Sequence, residues 1–128
     1  SGNPVSMAAG IATLQKLRNG DVYARLEALG ARLEAGLRAL NRDDVQVVRQ
    51  GSIVWPWFAA SAMPTTAEGA FDAHVGRFRT LHRPLLDAGF YLPPSAYEVL
   101  FLSVAHSEAD IDGLVAAIAA ALPTPATA

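Results

Sequence analysis

The 128-residue chain has no cysteine, so disulfides, thiolate nucleophiles and cysteine-based zinc sites are excluded from the start. Lysine is nearly as scarce, with Lys16 the only one, and the remaining cations are arginines. Charged residues make up only 17%, and a net charge of −2 with a pI near 5.8 gives no electrostatic case for nucleic acid or an anionic membrane. No apolar run approaches the roughly 18 residues of a membrane span, and no charged-then-apolar leader opens the chain. A soluble, cytoplasmic protein is therefore expected. There is no Gly-rich strand-to-helix phosphate cradle, no Gly-x-Ser-x-Gly elbow and no internal repeat. The chain opens without a methionine and in mid-motif, which suggests a fragment or a processed piece.

What is abundant is apolar side chain, 52% of residues, enough for one domain with a single core. The pattern predicts an α+β fold, with about four helices packed on a small, mainly antiparallel sheet. Asn3 followed by Pro4 marks a helix start, and Met7, Ile11, Leu14 and Leu17 form one stripe of that helix. Asn19 and Gly20 stop it, and Asp21 is expected to cap the next. The second helix, from Val22 to about Leu40, shows the clearest amphipathic period: Val22, Leu26, Leu29, Leu33, Leu37 and Leu40. Residues 45–49 and 53–59 read as strands separated by Gly51 and Ser52, which suggests a hairpin or a bulged continuation. Ile53, Trp55 and Trp57 would share one face, with Val54, Pro56 and Phe58 on the other. Pro56 cannot donate to a ladder, so this second strand is expected at an edge or broken there. Two tryptophans could form an aromatic cage, although a buried or interface pair is the commoner arrangement.

Residues 63–69 form a loop. A third helix carries Phe71, Val75, Phe78, Leu81 and Leu85, with Pro84 disturbing its last turn and Gly89 closing it. Residues 99–105 read as a strand buried on both faces, because apolar side chains fill alternate positions on each. Ser107 with Asp110 resembles a capping box for a fourth helix, which Pro123 ends. Residues 124–128 read as a frayed tail.

Few residues can carry chemistry. His74 and His82 lie two helical turns apart, about 12 Å, too far to share a metal, so no metal site is expected. His106, with Ser103 and an acid, could be read as a hydrolase triad, but a hydrogen-bonded histidine at a strand-to-helix junction accounts for it without an elbow. Lys16 sits on the polar side of its helix and reads as a solvated surface residue. Glu98, between the turn at Pro93 and Pro94 and the run from residue 99, is either a solvated loop residue or a carboxylate held out to a ligand.

The string YLPPSAYEVLFLSVAHSEADID from Tyr91 to Asp112, together with SGNP at residues 1–4, resembles the C-terminal part of the glutamate-1-semialdehyde 2,1-aminomutase family. That family belongs to the class III pyridoxal-phosphate aminotransferases. The resemblance runs from the start to about Leu122 and implies the C-terminal domain of a fold type I enzyme. Residues 1–20 would be a linking helix, 21–122 the small domain and 123–128 a tail. It further implies a homodimeric parent enzyme in tetrapyrrole biosynthesis, with its large domain elsewhere in the same polypeptide. Pyridoxal phosphate would be bound by that parent and not by this chain alone. By the match at Pro94, Ser95, Tyr97 and Glu98, Glu98 would face the substrate, with Ser95 and Tyr97 at the site's rim. No catalytic or cofactor-binding residue is carried over. Val99 and Leu100 depart from the small residues usual in the family after the glutamate, and Trp55, Pro56 and Trp57 depart from its simple hydrophobic strand. An ω-aminotransferase of the same class, or a free-standing α+β module without cofactor, are the alternative readings.

Overall fold

The computed structural model describes residues 2–70 and 75–123. It contains four α-helices and a three-stranded antiparallel sheet: α1 (Pro4–Arg18), α2 (Asp21–Ala39), β1 (Gln46–Gln50), β2 (Ile53–Trp57), α3 (Val75–Asp87), β3 (Leu100–Phe101) and α4 (Glu108–Ala121). The expected positions of Phe71, His74 and the tail at 124–128 lie outside the described residues.

The core forms where the leucine stripe of α2 meets α4 and the sheet. Leu29, Leu33 and Leu37 pack with Ile111, Leu114 and Ile118 of α4, with Phe78, Leu81 and Leu85 of α3, and with Val47, Val54 and Leu100 of the strands. Each such side chain, fully buried, contributes roughly 1.5–3 kcal/mol over its exposed state. Gly30 lets α2 lie directly on the hairpin, since a Cβ there would fall on the Gly51 carbonyl oxygen. At the start of α2 the expected cap shifts by one residue. Gly20 holds the N-cap position without a side-chain bond, and Asp21 is the first helical residue, where its charge favours the helix N-terminus. The capping box of α4 is complete: Ser107 N donates to Asp110 Oδ2 at 2.7 Å, and Asp110 N donates to Ser107 Oγ at 3.2 Å.

The sheet corrects two expectations. Its order is β1-β2-β3, so β2 is central rather than an edge. Pro56 is tolerated because β3 pairs only with Ile53 and Val54 and never reaches it. Gly51, at φ 58°, opens a two-residue turn closed by Gln50 and Ile53, as in a type II′ hairpin. Counting back from that hydrogen-bonded pair, Val47 and Pro56 fall on a pair that exchanges no hydrogen bonds. The second correction concerns residues 99–105, which form a two-residue strand instead of one buried on both faces. Leu100 is buried, but Phe101 is 70% and Val104 44% exposed. The physical reason is the partner: β2 begins at Ile53, directly after the hairpin turn, so Leu102 N reaches Ser52 O of that turn, at 3.0 Å, beyond the strand. The chain then turns, and His106 N donates to Ser103 O at 3.1 Å.

Candidate functional site

The turn that carries Glu98 is built by α3 and the sheet. At the end of α3, Phe90 N donates to Leu85 O at 2.8 Å, which closes the helix after Gly89 and sends the chain outward. Leu92 returns to the core at 4% exposure, and its carbonyl meets His82 Nε2 at 3.2 Å. Pro93 and Pro94 then restrict φ over the next residues. Ala96 is buried while Tyr97 and Glu98 are exposed. Within the turn, Glu98 N donates to Ser95 O and Tyr97 N to Ser95 Oγ, each at 3.2 Å. Trp55 Nε1 donates to Ala96 O at 3.1 Å and ties the turn to β2.

Trp55 and Trp57, two residues apart on β2, meet edge-on, with centroids 5.3 Å apart and planes at 67°. Trp57 is fully buried, and its Nε1 donates to Ser61 O at 3.3 Å. This is a packed pair whose polar edges meet backbone carbonyls, not an open cage.

An open cleft of about 950 Å³ runs between this turn and the start of α4. Tyr97, Glu98 and Phe101 line one side, and His106, Asp110 and Ile111 the other. Ser95 is half-buried in the turn behind Glu98 and Tyr97. The two lining carboxylates differ in commitment. Asp110 is held by the Ser107 backbone N–H and hydroxyl, which lower its pKa. Glu98 is exposed, and its backbone N–H is bound within the turn to Ser95 O. The geometry therefore offers a carboxylate on a pinned backbone beside aromatic surface, suited to a cationic amine or N–H donor.

The residues of the triad reading are adjacent but form a turn. His106 Nδ1 accepts the Ser103 backbone N–H at 2.9 Å and lies 3.2 Å from Ser103 Oγ. Asp110 is already occupied in the capping box. Lys16 lies on α1, which among the described elements packs only against α2, away from the cleft. Sequence reading missed the tethers from His82 and Trp55. Their signal was weak: polar-edged rings on otherwise apolar faces, whose partners lie in a distant loop.

The fold places this chain among the transaminases, as a C-terminal portion. An ω-transaminase from Sphaerobacter thermophilus superposes with a TM-score of 0.69 at 27% identity, over 94% of this chain and 28% of that one. A transaminase with PLP bound gives the same TM-score at 24% identity, over 93% of this chain and 27% of that one, a likeness of fold alone. Within that class the sequence belongs with the glutamate-1-semialdehyde 2,1-aminomutase family. It is 41% identical to that protein of Methylacidiphilum infernorum over 118 residues, and 43% identical to that of Thermus thermophilus over 126. These matches cover 90% and 95% of this chain but only 27% and 30% of the relatives, so the chain spans less than a third of their length. No family model matches the chain.

The residues present do not by themselves fit pyridoxal phosphate. Among the described residues no lysine or arginine lines the cleft to receive a phosphate, and Lys16, the chain's only side-chain amine, is exposed on a different element.

Proposed function

We propose that this chain works as the C-terminal domain of a longer pyridoxal-phosphate-dependent aminomutase that converts glutamate-1-semialdehyde to 5-aminolevulinate, moving the amino group from C2 to C1 for tetrapyrrole synthesis. The observation that carries this reading is the similarity, above 40% identity and over nearly the whole chain, to proteins named for that reaction. In this reading residues 1–20 link to a large domain of the same polypeptide, 21–122 form the small domain and 123–128 a tail. The enzyme is a cytoplasmic homodimer without nucleic-acid or membrane partners; among the described residues no helix is long and apolar enough to cross a membrane. The large domain supplies the cofactor site, and the chain alone is inactive. Glu98 receives the amino end of the substrate, with Ser95 and Tyr97 at the rim. The pinned backbone of the turn supports that role, because a carboxylate on a fixed scaffold loses less freedom on binding.

An ω-aminotransferase is the second reading, favoured by the superposition on the Sphaerobacter transaminase. The full-length polypeptide separates the two. The aminomutase forms 5-aminolevulinate from glutamate-1-semialdehyde with no added amino acceptor, whereas an ω-aminotransferase turns over only with one. In that enzyme Glu98→Gln keeps size and loses charge. Transition-state stabilisation is expected to fall by about 1.5–3 kcal/mol, roughly ten- to a hundredfold in rate, with cofactor binding retained. An unchanged kcat/KM for Glu98→Gln removes that residue from the site.

A further inference from the structure

We propose that Trp55 is a positioning residue for Glu98, acting through the hydrogen bond from its indole N–H to the Ala96 carbonyl; the proposal rests on the reading of Glu98 given above. That bond joins the turn to the sheet, whereas the bonds from Tyr97 N and Glu98 N to Ser95 lie within the turn. The prolines stiffen the turn without attaching it, and His82 tethers the chain only upstream, at Leu92. The Trp55 bond thus ties Ala96, two residues before Glu98, to β2.

Trp55 is well placed for this. It follows Val54, which pairs with Leu100, and stands opposite Val48, so its backbone lies in the sheet. Its ring is braced edge-on by the fully buried Trp57. A side chain that merely filled space needs no donor, and Trp55 is only half-buried. Its N–H answers the carbonyl of a residue 5% exposed, where an unpaired acceptor is costly. Loss of the bond frees the carbonyl, lets the turn rock on its prolines and blurs the position of Glu98 two residues on.

The test uses the full-length polypeptide that carries this chain. Trp55→Phe keeps an aromatic ring and removes the donor. Placing β-(3-benzothienyl)alanine at position 55 substitutes sulfur for the N–H at nearly unchanged shape, should the phenylalanine variant fail to fold. Amide exchange at Tyr97 and Glu98 is expected to quicken about fivefold or more, while Leu102 keeps its rate. The kcat/KM is expected to fall about five- to tenfold in the native background. In the Glu98→Gln background it should fall less than twofold, because the turn then has nothing left to position. A purely structural tryptophan would give losses that multiply in the double variant. Unchanged exchange at Glu98, or multiplicative losses, overturns the proposal. If the unsubstituted enzyme makes no 5-aminolevulinate, the functional reading has failed instead, and amide exchange alone then decides whether Trp55 holds the turn.

Discussion

Asp44 receives Arg42 through two hydrogen bonds, at 2.8 and 2.9 Å, and also pairs with Arg77 of α3, so one carboxylate joins the segment before β1 to a helix. Chiefly through the Arg42 hydrogen bonds, its pKa is lowered from 3.8 to about 2. A carboxylate whose folded pKa lies below its unfolded value contributes stability that is complete above the unfolded value. That contribution is lost as pH falls through the folded one, here between about pH 4 and pH 2. The shift corresponds to at most about 2–3 kcal/mol, and the partly exposed arginines screen it to about 1–2 kcal/mol. Asp44→Asn is expected to unfold more easily than the native chain at pH 7 by that amount, with the gap closing towards pH 2. Urea melts at both pH values measure it, and a gap of equal size at pH 7 and pH 2 would show that the charge is not the cause. A second residue-scale constraint is the cluster at Arg49, which meets Glu34 and Glu27 at 2.8 Å each and helps lower the Glu34 pKa.

At the scale of elements, Gly30 joins a helix to a hairpin by its lack of a side chain. In an isolated helix Gly→Ala would add about 1 kcal/mol of stability. Here the new Cβ meets a backbone carbonyl that cannot rotate away. Gly30→Ala is therefore expected to destabilise the chain by about 2 kcal/mol, the scale of an overpacked core, as measured by denaturant unfolding. A gain in stability would mean that α2 and the turn at Gly51 are not in contact. Sequence reading located the helices well and their contacts poorly, and the physics of each explains why. The leucines of α2 repeat with the helical period, and that period is local information. Residues 100 and 101 form a strand only where they lie beside Ile53 and Val54 of β2, a fact about the partner. Pro56 likewise signals a strand without a neighbour, while the chain supplies a neighbour that stops short of it. The turn at Glu98 was legible from Pro93 and Pro94. Its attachment to Trp55 joins positions 41 apart, and no local pattern announces it.

At the scale of the whole molecule, two properties follow from what this chain contains and what it leaves uncovered. Among the described residues no lysine or arginine lines its cleft to seat a phosphate, and Lys16 lies outside it. Borohydride reduction after incubation with micromolar pyridoxal phosphate is therefore expected to label the isolated chain weakly and without one preferred site. Stoichiometric labelling at a single position, found by peptide mapping, would contradict that. The second property belongs to α1, which buries none of its residues and leaves Val5, Met7, Ile11 and Leu14 between 54% and 77% exposed. A helix that gives nothing to the core gives little to stability, so removing residues 1–18 is expected to change Tm by less than about 3 °C. The stripe it presents is apolar and has no cover among the described residues, and surfaces of that kind associate in water. The intact chain is accordingly expected to self-associate in sedimentation at about 100 μM, whereas the truncated chain and the Ile11→Gln, Leu14→Gln double variant run as monomers. Should the intact chain also sediment as a monomer, α1 does not drive association, and its apolar stripe has some other cause.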